Sequence, residues 1–187
     1  VKLVSLGSSA QECLDLSEII SPYLEKLIDS VDCLVANFGI MDDDKAYYVA
    51  LKTSPHSNMR ILSRQGGEIS LVHSAIGKCL LAYQESVRRE SILNSLDYTK
   101  KTANSIATPQ ALRKELASIH NRGFAYDNGE GNLEIRCIAV PIIDLDGHLI
   151  GAISVSGTIS KFVSDKLPSI VEMVKKTANQ ITSNLLI

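Results

Sequence analysis

The sequence predicts an α+β domain built on an antiparallel sheet, and three observations carry that reading. Apolar residues recur at helical spacing at both ends of the chain. Between those ends stand two groups of strand-like runs, one on each side of the middle. A block of helical segments separates the two groups. Helices that bracket and interrupt antiparallel strands point to a sheet with helices packed on one face and helices at both chain ends.

Residues 9–30 place Leu16, Ile19, Ile20, Tyr23, Leu24, Leu27 and Ile28 on one helical face. Ser21-Pro22 interrupts the run. Serine as N-cap with proline at the first helical position predicts two consecutive helices there. The opening "VKLVSLGSS" reads as a short apolar piece ahead of the long helix, as though an upstream domain preceded it. "DCLVANFGI" and "KAYYVALKT" predict strands around the acidic turn "MDDDK", and "NMRILS" predicts a third. "RQGGE" is a loop, since it lacks the GK[ST] ending of a phosphate loop. "SAIGKCLLAYQ" predicts a helix with Ser74 as N-cap. A second helix is expected over residues 85–96. A third starts at Thr108-Pro109 and stops at Gly123, which can take the left-handed conformation. "GFAYD", "EIRCIAVPI" and "HLIGAISVSG" predict three more strands. Leu167, Ile170, Val171, Val174, Ala178, Ile181 and Leu185 predict a closing amphipathic helix.

Composition removes several function classes. The 187 residues are 45% hydrophobic and 21% charged, which fits one globular domain with a sizeable core. A net charge of −2 gives no basic field for nucleic acid. No apolar run approaches the roughly 20 residues of a membrane span. Cys13, Cys33, Cys79 and Cys137 are scattered, with no CxxC pair. Reduced thiols of a cytoplasm are expected rather than disulfides or structural zinc.

The hairpin "NLEIRCIAVPIIDLDGHLIGAISVSG" raises the functional question. A turn at Asp144-Leu145-Asp146-Gly147 sets a register in which Cys137 faces Ser154 and Ile135 faces Ser156. Alternation then places Ile135, Cys137, Ala139, Ser154 and Ser156 on one face, and Arg136, Ile138, Val140, Ile153 and Val155 on the other. The first face is dotted with small polar groups and lacks bulky filler. It reads either as a ligand pocket or as a small-residue core whose hydroxyls bond neighbouring carbonyls.

"LVHSAIGKCLLAY", "LASIHNRGFAYDNGE" and "IRCIAVPIIDLDGHLIGAISVSG", in that order, resemble the effector-binding domain of IclR-type bacterial transcription regulators. The "RCIAVPIID" wording is similar to the sugar-acid-responsive branch. The resemblance implies a GAF-like curved sheet with a ligand cavity on its concave side. It also implies a winged helix-turn-helix before this domain, with residues 1–8 as the end of the linker and residues 9–187 as the effector-binding domain. Homodimers or homotetramers are implied as well. Carried over position by position, the family's effector contacts fall on Ala75, Ile76, Asp127, Cys137, Ser154 and Ser156. Gly129 and Glu134 depart from the family's pattern, so the loop before the pocket strand is expected to have its own shape.

Those residues suit a particular guest. Amides at the first turn of a helix are oriented donors for an anion. Two serines add donors, while Asp127 accepts from hydroxyls. A small-molecule carboxylate, as a short hydroxy, keto or sugar acid, is the expected effector. Operator DNA is an expected partner only through the missing domain, and no cofactor, metal or membrane contact is expected. Lys78 reads as an exposed lysine. His73-Ser74 lacks a nucleophile elbow, so no catalytic residues are expected. Asp127, Cys137 and His73 offer metal-ligand types without diagnostic spacing. A thiol sensor reporting through Cys137 is the alternative function, opposed by the acidic neighbour that would raise the thiol's pKa.

Overall fold

The computed structural model describes residues 2–56 and 63–185. Helix α1 runs Lys2–Val31, and strands β1 (Val35–Asp42) and β2 (Lys45–Thr53) follow as a hairpin. A two-residue strand β3 (Glu68–Ile69) leads to helices α2 (Ala75–Ala82), α3 (Ser86–Ser95) and α4 (Pro109–Arg122). Strands β4 (Ala125–Asn128), β5 (Ile135–Ile143) and β6 (Leu149–Thr158) precede the closing helix α5 (Leu167–Leu185). The six strands form one curved sheet in the order β3-β2-β1-β6-β5-β4, with every pairing antiparallel. The α+β class therefore holds, while the expected "NMRILS" strand lies, Ser63 apart, outside the described residues.

Proline does not split the first helix. α1 continues through Pro22 as a single helix, and residues 2–8 are its first turns rather than a separate piece. Pro22 frees the carbonyl four residues back, that of Glu18, and both residues are exposed, so water can take the lost hydrogen bond. On the other side Ile20, Leu24, Leu27 and Ile28 are buried in one seam that holds the turns around the proline together. Burying each such side chain stabilises by about 1.5–3 kcal/mol, enough to offset a helix-interior proline of about 3 kcal/mol.

The helices divide between the two faces. α1 and α5 pack with Ala36, Phe38, Val49, Ile138, Val140, Ile153 and Val155 in one core. The expected single helical face describes this terminal pair. α2 lies against the opposite face, in one core with Ala46, Ala125, Ala139 and Ala152, while α4 packs on α2 and α3 on α4. All eight residues of α2 are buried. The alanines on this face thus have a packing reason: a helix sits on them at close range.

The hairpin register differs from the expected one. Cys137 faces Ser156, Ala139 faces Ser154, and Ile135 faces Thr158. The Asp144 amide donates to the His148 carbonyl at 3.0 Å, so the turn is one residue longer than its sequence suggests. A bulge between Ile142 and Ile143 adds a second step. Two single-residue slips preserve side-chain parity, so the predicted division of the two faces survives although each partner moves by two.

Candidate functional site

Helix α2 opens over the face that β4, β5 and β6 share. Its N-cap Ser74 accepts from the Gly77 amide at 3.0 Å and donates to the Ser70 carbonyl at 2.6 Å. The Lys78 amide donates to the Ser74 carbonyl, as in any first turn. The Ala75 and Ile76 amides precede Lys78, the first intrahelical donor, and are the donors that a helix start leaves available.

Beyond α2 the same sheet face turns polar. Asp127 pairs with Cys137 and Cys137 with Ser156, which makes one row across three strands. The next row is Ala125, Ala139, Ser154 and Asn37. The structure therefore gathers Asp127, Cys137, Ser154 and Ser156 on one face, and α2 packs over the adjoining alanines. Asn37 joins them although the sequence reading did not select it. Its Nδ2 donates to Ser154 Oγ at 3.4 Å, and its Oδ1 is buried without a partner. Alternation from Val35 to Gly39 could have flagged it, since an asparagine in that apolar run is the one residue with an amide to place.

A buried ion pair under α2 corrects the sequence reading. Lys78 is 0% exposed and donates to the Glu130 carboxylate and, at 2.8 Å, to the Tyr126 carbonyl. Glu115 lies at 3.9 Å. The expectation of an exposed lysine fails because α2 has no solvent face on which to put it. An all-apolar helix with a single lysine was the available signal. The loop carrying Glu130 is tied down further. Asp127 Oδ1 accepts from the Glu130 amide at 2.7 Å, and the Ser105 and Thr102 hydroxyls donate to its carbonyl at 2.8 and 3.2 Å. Gly129 takes φ +79°, a left-handed conformation that favours glycine.

Electrostatics separate the two functional classes. Burial pushes the Asp127 carboxyl up, opposed by the Glu130 amide and by Lys78. Burial also pushes the Cys137 thiol up, and the Asp127 charge adds to it. Cys33 is pushed up to about 12 by burial, and Cys79 is raised for the same reason. A thiol sensor needs a thiolate, and this site withholds it. In a Cys13→Ser background, we expect iodoacetamide at pH 8 to leave Cys137 unmodified until urea is added. Rapid labelling of the native protein, read by mass spectrometry, would restore the thiol-sensing alternative. Among the described residues, metal-ligand atoms converge at Asp144, Asp146 and His148 in the exposed hairpin turn, and not at Asp127, Cys137 and His73.

The domain thus combines a curved antiparallel sheet, helices on both faces and a polar patch at a helix start. Residues 9–183 match the family described as bacterial transcriptional regulator IclR C-terminal, and the chain belongs to that family. It is 40% identical over 157 residues to the Escherichia coli K12 protein called uncharacterized HTH-type transcriptional regulator RhmR, a match covering 84% of this chain and 60% of that protein. It is 30% identical over 185 residues to HTH-type transcriptional regulator KdgR of the same organism, covering 99% of this chain and 70% of KdgR. The crystal structure of Thermotoga maritima IclR superposes with a TM-score of 0.86 at 28% identity, covering 98% of this chain and 74% of that one. The chain thus spans 60% of the length of RhmR. These relatives are named as transcriptional regulators. Among the described residues no helix is long and apolar enough to cross a membrane.

Proposed function

We propose that this domain senses a small hydroxy, keto or sugar carboxylate at the face formed by Ala75, Ile76, Asp127, Cys137, Ser154 and Ser156. The observation that carries the reading is the polar row Asp127–Cys137–Ser156 beside the start of α2, in which Asp127 and Ser156 are buried and Cys137 half-buried. The Ala75 and Ile76 amides and the two serines supply donors for a carboxylate. Asp127 accepts from a hydroxyl on the same ligand. The "RCIAVPIID" wording, similar to the sugar-acid-responsive branch, favours a sugar acid among these carboxylates. A DNA-reading domain ahead of α1 is the proposed output, since both relatives are named HTH-type regulators and extend beyond this domain. The cytoplasm is the proposed location.

Titration calorimetry with short hydroxy and keto acids tests the site. An effector found that way should lose about 1.5–3 kcal/mol of binding with Ser156→Ala or Ser154→Ala, the range for one hydrogen bond to a charged group. Equal affinity in both variants would place the effector elsewhere and leave this face as a small-residue core.

Self-association completes the proposal. Leu14 and Ile19 on α1 stay exposed while Ile20, Leu24, Leu27 and Ile28 are buried, so the helix retains apolar surface for a partner copy. We expect at least a dimer by sedimentation at tens of micromolar. A pure monomer would exclude assembly through this domain.

A further inference from the structure

Asn37 stands in the middle of the sheet, paired with Ser154 of β6 on one side and with Leu51 of β2 on the other. It is 2% exposed. One end of its amide makes a single long bond, 3.4 Å to Ser154 Oγ, and the other end makes none. A buried amide left half satisfied destabilises the free domain, because the desolvation of the unpartnered oxygen is not recovered. Leucine has the same branched arrangement of heavy atoms without a polar atom, although its methyl groups are bulkier. Val35, the preceding residue of β1 on the same face, is apolar and fully buried. Among the described residues, hydrogen bonding does not account for an asparagine here.

We propose that Asn37 is a specificity-determining residue of the effector site, whose Oδ1 accepts a hydrogen bond from a hydroxyl of the bound acid. This rests on the effector site proposed above and adds to it a discriminator for hydroxylated ligands. With Nδ2 directed at Ser154, the open valence of the amide is an acceptor, which a hydroxyl satisfies and a methyl or methylene group does not. Ser154 then has two duties: it donates to the ligand and holds the amide in the orientation that presents Oδ1. A site built to bond a hydroxyl discriminates strongly against the analogue lacking it, because the buried acceptor is again left unpaired.

The test uses glycerate, lactate, 3-hydroxypropionate and propionate, four acids on one carbon skeleton that differ only in hydroxyls. Affinities are measured calorimetrically for the wild-type chain and for Asn37→Leu, with Asn37→Ala as a second variant. Wild type should bind at least one hydroxylated acid tenfold or more tightly than propionate, and both variants should bring that ratio close to one. Both variants should remain folded at the temperature of the titration, so that a lost preference reports the amide and not unfolding. A preference for hydroxylated acids that persists in both variants overturns the role of Asn37 and leaves the effector site standing. No heat with any of the four acids in the wild-type chain overturns the site and this proposal together.

Discussion

Replacing Lys78 by methionine is expected to cost about 3–5 kcal/mol of folding stability, the range for leaving one partner of a buried ion pair alone. The side chain's length and apolar stem are kept, so the loss isolates the ammonium. Three groups would feel it. The Glu130 carboxylate would keep its buried position with no cation, its Oε2 being unpartnered already. The Tyr126 carbonyl would lose its donor, and Asp127 would lose the positive neighbour that opposes its burial. The pH dependence has a definite sign. Burial raises the Glu130 carboxyl and Lys78 holds it back, so removing the lysine raises it further. A carboxyl whose folded pKa lies above its unfolded value makes the fold most stable at acid pH and less so as pH rises. The deficit of Lys78→Met should therefore be full at pH 7–8 and shrink toward pH 5. Glu130→Gln in the same chain should return a large part of the loss at neutral pH, because no uncompensated charge remains. Urea unfolding midpoints at two pH values measure both effects. A deficit under about 1 kcal/mol that ignores pH would mean that the pair contributes nothing.

The sequence showed what depends on local rules and concealed what depends on contacts between distant segments. Ser74 and Thr108 cap their helices as their types suggest, and Gly123 closes α4 at φ 77°. These are decisions made within a few residues, and they were legible. The face shared by Cys137, Ser154 and Ser156 was legible too, because alternation survives a two-residue slip. The partners were not. A longer turn and a bulge each shift the ladder by one, and neither leaves a distinctive residue in "PIIDLDGHLIG". Lys78 was misread because its burial depends on Glu130, 52 positions away. Pro22 was misread because its tolerance depends on which side of α1 meets water. Asn37 escaped for a related reason: its neighbour Ser154 is 117 residues distant, and an asparagine in a strand means little until the pairing is known.

Gly77→Ala is the small change expected to disturb both the fold and the site most directly. Alanine is the best helix former, so propensity alone would favour it over glycine by about 1 kcal/mol. The structure reverses that sign. A Cβ on Gly77 would meet the Ser70 carbonyl oxygen well inside contact distance and would lie 2.8 Å from Ser74 Oγ. The first obstacle is backbone and the second is the N-cap hydroxyl, so no flexible side chain can swing aside. Ser74 Oγ is held on both sides, donating to the Ser70 carbonyl and accepting from the Gly77 amide itself. Relief requires α2 to lift from the loop before it, which breaks the cap and moves the Ala75 and Ile76 amides. All of α2 is buried, so lifting it also opens the contact with Ala125, Ala139 and Ala152. The expected loss is at or above the top of the usual 1–3 kcal/mol for overpacking a core. Ligand affinity should fall with it, because the proposed donors at the helix start no longer face the sheet. Ala82→Gly at the far end of α2 is the control: it weakens the helix, yet leaves the cap and the first turn intact. If acid binding fails in Gly77→Ala and persists in Ala82→Gly under conditions where both remain folded, the start of α2 is the part that the ligand reads. Wild-type affinity in folded Gly77→Ala would remove the helix-start amides from the site.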